Sequence, residues 1–172
     1  SYTGWTNLRT GGGLKTEADP LDPNPPATMR RTLEAIRHVE TAVAGAKEFE
    51  GLALRYGPLY GPGTSLGHGG AQIEPIRKRQ FPIIGDGGGV WSFLHVDDAA
   101  EATAIAIERG PTGIYNIVDD DPAPVREWLP YFAALIGAKP PRHLPVWLGR
   151  LAVGEAGVLL MTQTQGSSNA KA

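Results

Sequence analysis

Two glycine-rich stretches are the parts of this sequence best suited to contact a ligand. Residues 57–63, GPLYGPG, directly follow the apolar run 52–56, which is typical of a buried strand. Because ligands of open α/β sheets bind beyond the carboxyl ends of parallel strands, this position predicts a ligand-contacting loop. Residues 85–89, GDGGG, have the composition of a phosphate loop but lack its lysine and a clear following helix. We interpret them as a hairpin-like turn between two strands.

Other kinds of catalytic site find little support in the side chains available. The four histidines are scattered, and the acidic run at 119–121 lacks the ligand alternation of a calcium loop, so we predict no metal site. That run is interpreted as a solvated turn before a helix. The sequence contains no cysteine, which excludes disulfides, thiolate ligands and a cysteine nucleophile. It also contains no Gly-x-Ser-x-Gly motif, which disfavours a serine hydrolase of that type.

The composition narrows the class of protein further. The chain has 172 residues, a net charge of −2 and a hydrophobic fraction of 41%. A charge this close to zero disfavours a broad basic surface for nucleic acid or a polybasic membrane anchor. No apolar run approaches the roughly 20 residues that cross a bilayer. The cysteine-free composition fits a reducing compartment, so we predict a cytoplasmic protein with no nucleic-acid or membrane partner.

The elements that must position these loops alternate between helices and strands. Residues 28–46 carry apolar side chains three and four positions apart, the pattern of an amphipathic helix that ends at Gly45. Asp97 and Asp98 predict the cap of a helix over 99–109. Further strands are predicted at 81–84, 90–96 and 113–118, and further helices at 73–79, 124–137 and 146–154. A helix, a short loop and a buried strand in succession are typical of a βαβ unit, so we predict an α/β fold with a parallel sheet.

Both ends of the chain have the features of a cut. Residues 1–5 begin without a helix cap, and residues 167–172, SSNAKA, resemble the entrance to a helix with Ser or Asn as its N-cap. Residues 6–28 are predicted to form a long loop, since they combine three consecutive glycines with a proline-rich run. We expect the chain to be a piece of a longer protein. The alternative is a complete small domain with frayed ends.

Four motifs follow one another along the chain: LRYGPLYGPG at 54–63, FPIIGDG at 81–87, FLHVDDAA at 93–100 and GIYNI at 113–117. In this order they resemble the NAD-dependent epimerase/dehydratase family of extended short-chain dehydrogenases/reductases. The opening residues, Ser1, Tyr2 and Thr3, resemble the end of the strand that carries the family's active-site Ser or Thr. The resemblance covers nearly the whole chain, but only the later half of such a protein.

The resemblance implies a Rossmann-like parallel sheet with a small α/β substrate-binding lobe, a bound NAD or NADP, and a small-molecule substrate. Residues 1–172 would be the C-terminal part of that domain, because the glycine-rich dinucleotide fingerprint of the family lies upstream of this segment. By position, the implied catalytic residues are Ser1 and Thr3, the cofactor-binding residues are Tyr56, Gly57, Pro58 and Leu59, and the substrate-binding residues are Tyr60, Trp91 and His95.

The sequence departs from the family at the proton-transfer pair. If Glu40 is the glutamate that usually follows the family's Tyr-x-x-x-Lys, the tyrosine slot holds Thr32 and the lysine slot holds Ile36. A lysine ammonium lowers the pKa of such a tyrosine so that its phenol can move protons near neutral pH, and neither replacement can do this. Tyr56 and Tyr60, together with Tyr2, are the candidate substitutes.

A second departure concerns the substrate. Trp91 and Ser92 stand where nucleotide-sugar enzymes of the family usually carry an Arg-Asp or Arg-Glu pair, which makes a diphosphate-linked sugar less well matched. We predict an atypical epimerase, dehydratase or reductase that acts on a small carbonyl or sugar-like substrate. The alternative is a non-catalytic NAD(P)-binding sensor or interaction protein on the same fold. Family members are often dimers through the helix at 28–46, so the resemblance also implies a homodimer.

Overall fold

Helices and short strands alternate along the chain in a computed structural model that describes residue 7 and residues 9–172. The elements are a 3₁₀ turn (Ala27–Met29), α1 (Arg30–Ala44), β1 (Leu52–Tyr56), β2 (Leu59–Tyr60), α2 (Ile73–Arg77), β3 (Ile83–Ile84), β4 (Val90–Trp91), β5 (Leu94–His95), α3 (Val96–Arg109), β6 (Gly113–Ile117), β7 (Ala123–Pro124), α4 (Val125–Leu135), β8 (His143–Leu144) and α5 (Val146–Thr162). The predicted α/β class is confirmed.

The longest strands, β1 and β6, pair in parallel with Leu52 opposite Gly113 and Tyr56 opposite Ile117. The other pairs are two residues long: β2 with β5 and β3 with β8 are parallel, and β4 with β7 is antiparallel. The interpretation of residues 85–89 as a hairpin turn is therefore wrong, because β3 and β4 pair with β8 and β7 rather than with each other. The predicted strand at 90–96 divides into β4 and β5 for the same reason, since its two ends have different partners.

A buried ion pair fastens α1 to the β1–β6 sheet. Arg55 of β1 donates from Nε and Nη2 to the two carboxylate oxygens of Glu40, at 2.8 and 2.7 Å. Both side chains are about 95% buried. Leu33 is also buried on α1, whereas Val39 of the predicted apolar stripe is 54% exposed. The buried face of α1 is thus partly ionic, which hydrophobic spacing alone did not reveal.

The loop predicted at 6–28 is tied to the free edge of the sheet. The backbone N–H of Asn116 in β6 donates to Glu17 Oε1 at 2.6 Å. Lys15 forms a parallel bridge with Ser167, through Lys15 N to Gly166 O at 2.7 Å and Ser168 N to Lys15 O at 2.8 Å. The Glu17 contact satisfies a β6 backbone N–H, and the bridge holds the loop against residues 166–168.

Two helices differ at their ends from the sequence-based prediction. The N-cap of α3 is His95, whose Nδ1 accepts the Asp97 N–H at 3.3 Å, and the helix begins at Val96. The predicted end of α5 at Gly154 coincides with a break in the helix, where φ is 71°, but a second helical segment continues to Thr162. That segment persists because Val158 and Met161 are buried in the main hydrophobic cluster.

Across residue 7 and residues 9–172, no helix is both long and apolar enough to cross a membrane.

Candidate functional site

The chain makes a close crossing where β1 ends. The N–H of Gly57 donates to Ile117 O at 3.2 Å, and the carbonyl of Pro58 accepts from Leu94 N at 3.1 Å. A Cβ on Gly57 would lie 2.0 Å from the carbonyl oxygen of Ser92, so this position has no room for a side chain. The crossing holds residues 57–59 at the carboxyl ends of β1 and β6, the edge at which ligands of such sheets bind.

The phenol of Tyr56 is engaged with α3. Its oxygen lies 2.6 Å from Thr103 Oγ1, and that hydroxyl also donates to Ala99 O. Tyr56 therefore ties the end of β1 to the helix that packs on it. Its hydroxyl proton is shared with this chain of hydrogen bonds.

Tyr60 and His95 lie opposite each other in the β2–β5 pair. Their rings meet edge to face, with centroids 5.1 Å apart. Gly61 has φ 107°, and a Cβ there would approach His95 Nε2 to 2.6 Å, so the imidazole packs directly on a glycine turn. The backbone N–H of His95 donates to Asp119 Oδ1 at 3.4 Å, which connects this pair to the residues that follow β6.

The pKa of Tyr60 is raised above its ordinary value. The largest cause is burial of the phenol, followed by its hydrogen bond to Asp119 and the negative charges of Asp119 and Asp98. Each cause disfavours the phenolate, so Tyr60 stays a protonated hydrogen-bond donor at neutral pH. This shift is opposite to the one that a lysine produces in a proton-transferring tyrosine.

A cavity of about 910 Å³ opens beside Tyr60, between α3, the end of β6 and α4. Aromatic side chains form much of its wall: Phe93, Trp128, Tyr131 and Phe132. Four carboxylates stand around it, those of Asp98, Asp119, Asp120 and Asp121. The Nε1–H of Trp128 is buried and has no hydrogen-bond partner. The candidate site therefore has an apolar wall and an acidic rim, and the Trp128 N–H in its wall is a hydrogen-bond donor without a partner.

The other predicted site residues are placed differently. Trp91 is not among the residues that line the cavity: its Nε1–H donates to Leu160 O at 2.9 Å, and its ring packs 5.1 Å from that of Trp128. His95 is not among the lining residues either, and it contacts two residues that are, Tyr60 and Asp119. Ser1, Thr3 and Tyr2 lie outside the described residues. The roles predicted for all these residues stay predictions.

The predicted positions of the proton-transfer pair lie on α1. Thr32 is exposed and Ile36 is half-buried, eight and four residues before the buried Glu40. Glu40 forms an ion pair with Arg55. The positions four and eight residues before it hold neither a lysine nor a tyrosine. Within the described part of the chain, no cluster of three or more His, Asp or Glu side chains is arranged to hold a metal ion.

Sequence reasoning missed three residues of this cavity. Asp119 was interpreted as part of a solvated turn, Asp98 as a helix cap, and Trp128 as the start of a helix. Asp119 directly follows the region of the predicted strand 113–118, so the argument used for residues 57–63 applies to it equally. Trp128 gave no such signal, because its N–H lacks a partner only in the folded arrangement.

Comparison with known proteins identifies the family to which the chain is similar. The profile of the NAD dependent epimerase/dehydratase family matches residues 14–118. The chain is 40% identical to a 3-diazoavenalumate denitrifying reductase from Streptomyces, over 90% of this chain and 49% of that protein. It is 27% identical to a dTDP-L-rhamnose 4-epimerase from Burkholderia thailandensis, over 75% of this chain and 38% of that protein. The chain thus spans half or less of these relatives.

A solved structure shares the architecture. The human epimerase family protein, determined with NADPH, is 21% identical and superposes with a TM-score of 0.72, over 99% of this chain and 56% of that one. At this identity the likeness concerns the fold, and it confirms the predicted Rossmann-like α/β arrangement.

Proposed function

Because the chain belongs to the NAD dependent epimerase/dehydratase family, we propose that it is part of an NAD(P)-dependent reductase that acts on a small molecule. The 40% identity with a reductase supports this choice among the reactions of the family. NAD or NADP would lie with its nicotinamide end against Tyr56, Gly57, Pro58 and Leu59. The reduced cofactor supplies a hydride when it is bound.

The crossing at Gly57 fits this placement. It holds the backbone of residues 57–59 at the ends of two strands, and it requires a glycine at position 57 because the Ser92 carbonyl fills the space of a side chain. The described residues include no glycine-rich turn that follows a strand and opens a long helix, as a pyrophosphate requires. We therefore propose that residues 1–172 form the C-terminal part of the domain and that an upstream half binds the rest of the cofactor.

The proposal rests on one observation: neither α1 nor the tyrosines of the candidate site supply the proton donor that the family usually has. Thr32 and Ile36 fill the usual proton-transfer slots, the Tyr56 hydroxyl is bonded to α3, and the pKa of Tyr60 is raised. A carbonyl reductase needs a proton for the new alcohol, and a positioned acid contributes roughly 10² to 10⁴ in rate. The pKa of Tyr60 is thus shifted away from that role, and the Tyr56 hydroxyl is already engaged with α3.

Reduction of an aryl diazonium ion does not need such a proton. Hydride forms a new C–H bond with its electron pair, the C–N bond breaks, and N₂ leaves with the pair of that bond. The cationic substrate and the hydride together balance the neutral arene and N₂. We propose a diazo substrate of this kind, in line with the name of the Streptomyces relative.

The carbonyl or sugar-like substrate expected from the sequence is the second candidate, supported by the identity with the rhamnose epimerase. In that case Ser1 or Thr3 would supply the hydrogen bond to the reacting oxygen. Tyr60 and His95, with Trp91, would then face the substrate side. The non-catalytic NAD(P)-binding sensor is the third candidate, and it is favoured by the same replacements at Thr32 and Ile36.

Isotope transfer separates these candidates. The protein is incubated with cofactor deuterated at the hydride position and with three substrates: 4-carboxybenzenediazonium, an aromatic aldehyde and a nucleotide sugar. We expect deuterium in benzoate from the diazonium, above a protein-free control. Deuterium only in the alcohol would establish the carbonyl reaction instead. Tight cofactor binding with no deuterium transfer to any substrate would support the sensor and refute the reductase.

A double variant in α1 provides a second test of the isotope-transfer result. Thr32→Tyr combined with Ile36→Lys rebuilds the family's pair without touching the cavity. If the missing acid limits carbonyl chemistry, this variant gains aldehyde reduction and keeps its rate with the diazonium. An equal change for both substrates would contradict the reasoning.

We also propose a homodimer through α1 and a cytoplasmic location. The 54% exposure of Val39 on that helix is compatible with a helix–helix contact. Sedimentation of the wild-type protein beside Val39→Glu tests the dimer: a dimer that the charge disrupts is the expected result, and a wild-type monomer contradicts it.

A further inference from the structure

The cavity beside Tyr60 has the size and walls of a small-molecule site. Its volume of about 910 Å³ is near the upper end of the usual range for ligand pockets, roughly 300–1,000 Å³. Phe93, Trp128 and Phe132 give it flat apolar surfaces that can stack on a ring. Tyr131 stands at the exposed side of the wall and is 68% exposed. An aromatic ligand can therefore enter from solvent and reach a largely apolar interior.

The charges around the cavity are of one sign. Asp98, Asp119, Asp120 and Asp121 line it, and no lysine, arginine or histidine of the described chain does so. Asp120 accepts from Asn169 Nδ2, and Asp119 accepts from the backbone N–H of His95, so both carboxylates have neutral partners only. The negative potential at this rim is thus not cancelled by a basic side chain of the cavity.

Trp128 adds an observation that is independent of the acidic rim. The residue is only 8% exposed, it lines the cavity, and its Nε1–H has no acceptor in the described structure. A buried donor without a partner is costly, and native proteins usually satisfy such groups. The neighbouring Trp91 shows the satisfied case, since its N–H donates to Leu160 O. A ligand that carries an acceptor would complete Trp128.

We propose that this cavity binds an aromatic cation, with its ring against Phe93 and Phe132 and its positive end at Asp98 and Asp119. Aromatic faces attract cations, and the carboxylates add a favourable charge interaction at the rim. Trp128, whose buried N–H has no partner in the described structure, belongs to the same wall. The inference deepens the proposed function and rests on it for the role of the site, because aryl diazonium ions belong to this class of cation.

Binding is tested without cofactor or turnover. The probe is phenyltrimethylammonium, and benzenesulfonate serves as the anionic counterpart of similar shape. Titration calorimetry gives the affinity, and tryptophan fluorescence in wild type and in Trp128→Phe reports whether the probe reaches the cavity. We expect the cation to bind, the sulfonate to bind far more weakly, and the fluorescence change to be reduced in Trp128→Phe.

Two adjacent aspartates supply the matched variants. Asp98 lines the cavity, whereas Asp97 does not and its side chain is 83% exposed. Asp98→Asn should weaken cation binding about fivefold, the upper range for a solvent-accessible charge pair, and Asp97→Asn should leave it unchanged. Asp119→Asn, which keeps an acceptor for the His95 N–H, should act like Asp98→Asn.

The outcomes distinguish the inference from the proposed function. Equal affinity for the cation and the sulfonate, equal effects of Asp97→Asn and Asp98→Asn, or no binding of the cation would each overturn the aromatic-cation site. Cation binding with the expected variant pattern, but without deuterium transfer to the diazonium, would leave the site standing and refute the diazo reductase.

Discussion

The ion pair between Glu40 and Arg55 makes a quantitative test of how α1 is attached to the sheet. Removal of one partner from a buried pair leaves the other charge without compensation and costs about 3–5 kcal/mol of folding free energy. Glu40 and Arg55 meet the conditions for this range, because their side chains are only 5% and 4% exposed and two hydrogen bonds join them. Arg55 Nη1 already has no partner, so Glu40→Ala would leave the whole guanidinium unsatisfied at this site.

We therefore expect Glu40→Ala to lower the free energy of unfolding by about 3–5 kcal/mol, a large share of the roughly 5–15 kcal/mol typical of a protein. The double variant Glu40→Leu with Arg55→Met should recover most of that loss, because it removes both charges and fills the space with apolar atoms. Urea unfolding followed by circular dichroism measures each free energy. Glu34→Ala on the exposed side of α1 is the control and should stay within about 0.5 kcal/mol of wild type.

Two results would refute this reasoning. A loss below about 1 kcal/mol in Glu40→Ala would mean that solvent reaches the pair and screens it as at a surface. A double variant whose loss equals the sum of the two single losses would mean that the side chains do not interact across α1 and β1.

Three further predictions concern the crossing and its tyrosines. Gly57→Ala should destabilise the protein by at least the roughly 1–3 kcal/mol of an overpacked site and weaken cofactor binding, as thermal unfolding and cofactor titration would show; unchanged values would contradict the close crossing. Tyr56→Phe should cost about 0.5–1.5 kcal/mol, like its matched variant Thr103→Val, and leave hydride transfer intact; loss of transfer with stability retained would assign the phenol a chemical role. Ultraviolet titration should show that the pKa of Tyr60 lies above the ordinary 10.0 and falls towards it in Asp119→Asn. Since the unfolded chain releases this proton first, the contribution of Tyr60 to stability is complete below pH 10.0 and declines as the pH rises above it; a stability independent of pH in that range would contradict the shift.

Much of the fold follows from local patterns in the sequence. β1 was predicted at its observed bounds, and α1 was predicted to within two residues at each end, because apolar periodicity and Gly45 act within the segments themselves. The pairing of the strands is harder to predict from the sequence. The glycines at 85–89 separate two strands in a way that also suits a hairpin, and only the contacts with β7 and β8 decide otherwise. The attachment of Lys15 to residues 166–168 joins segments about 150 residues apart, which no local pattern encodes.

The residues of the candidate site likewise fall into those that local sequence patterns predict and those that only tertiary packing brings together. The strand-end rule predicts residues 57–63 as a ligand-contacting loop, which stays a prediction, and the same rule extended to the end of β6 would have included Asp119. It could not locate Trp128, which reaches the cavity from α4 through packing of the aromatic cluster. It also could not show that the Trp91 N–H donates to Leu160 O of α5 and that its partly buried ring packs against the main hydrophobic cluster.

Helix α1 shows how this fold would be kept if, as we propose, Thr32 and Ile36 occupy the positions of the family's proton-transfer pair. The ion pair between the buried Glu40 and Arg55 attaches α1 to β1. Thr32 lies two turns and Ile36 one turn nearer the start of the helix than Glu40, and Thr32 is exposed while Ile36 is half-buried. Replacement of a tyrosine and a lysine at such positions would remove proton transfer without opening a cavity or leaving a buried charge. Under the proposed diazo reduction, which needs no proton, the chain would keep the stability of α1 without the chemistry of the pair.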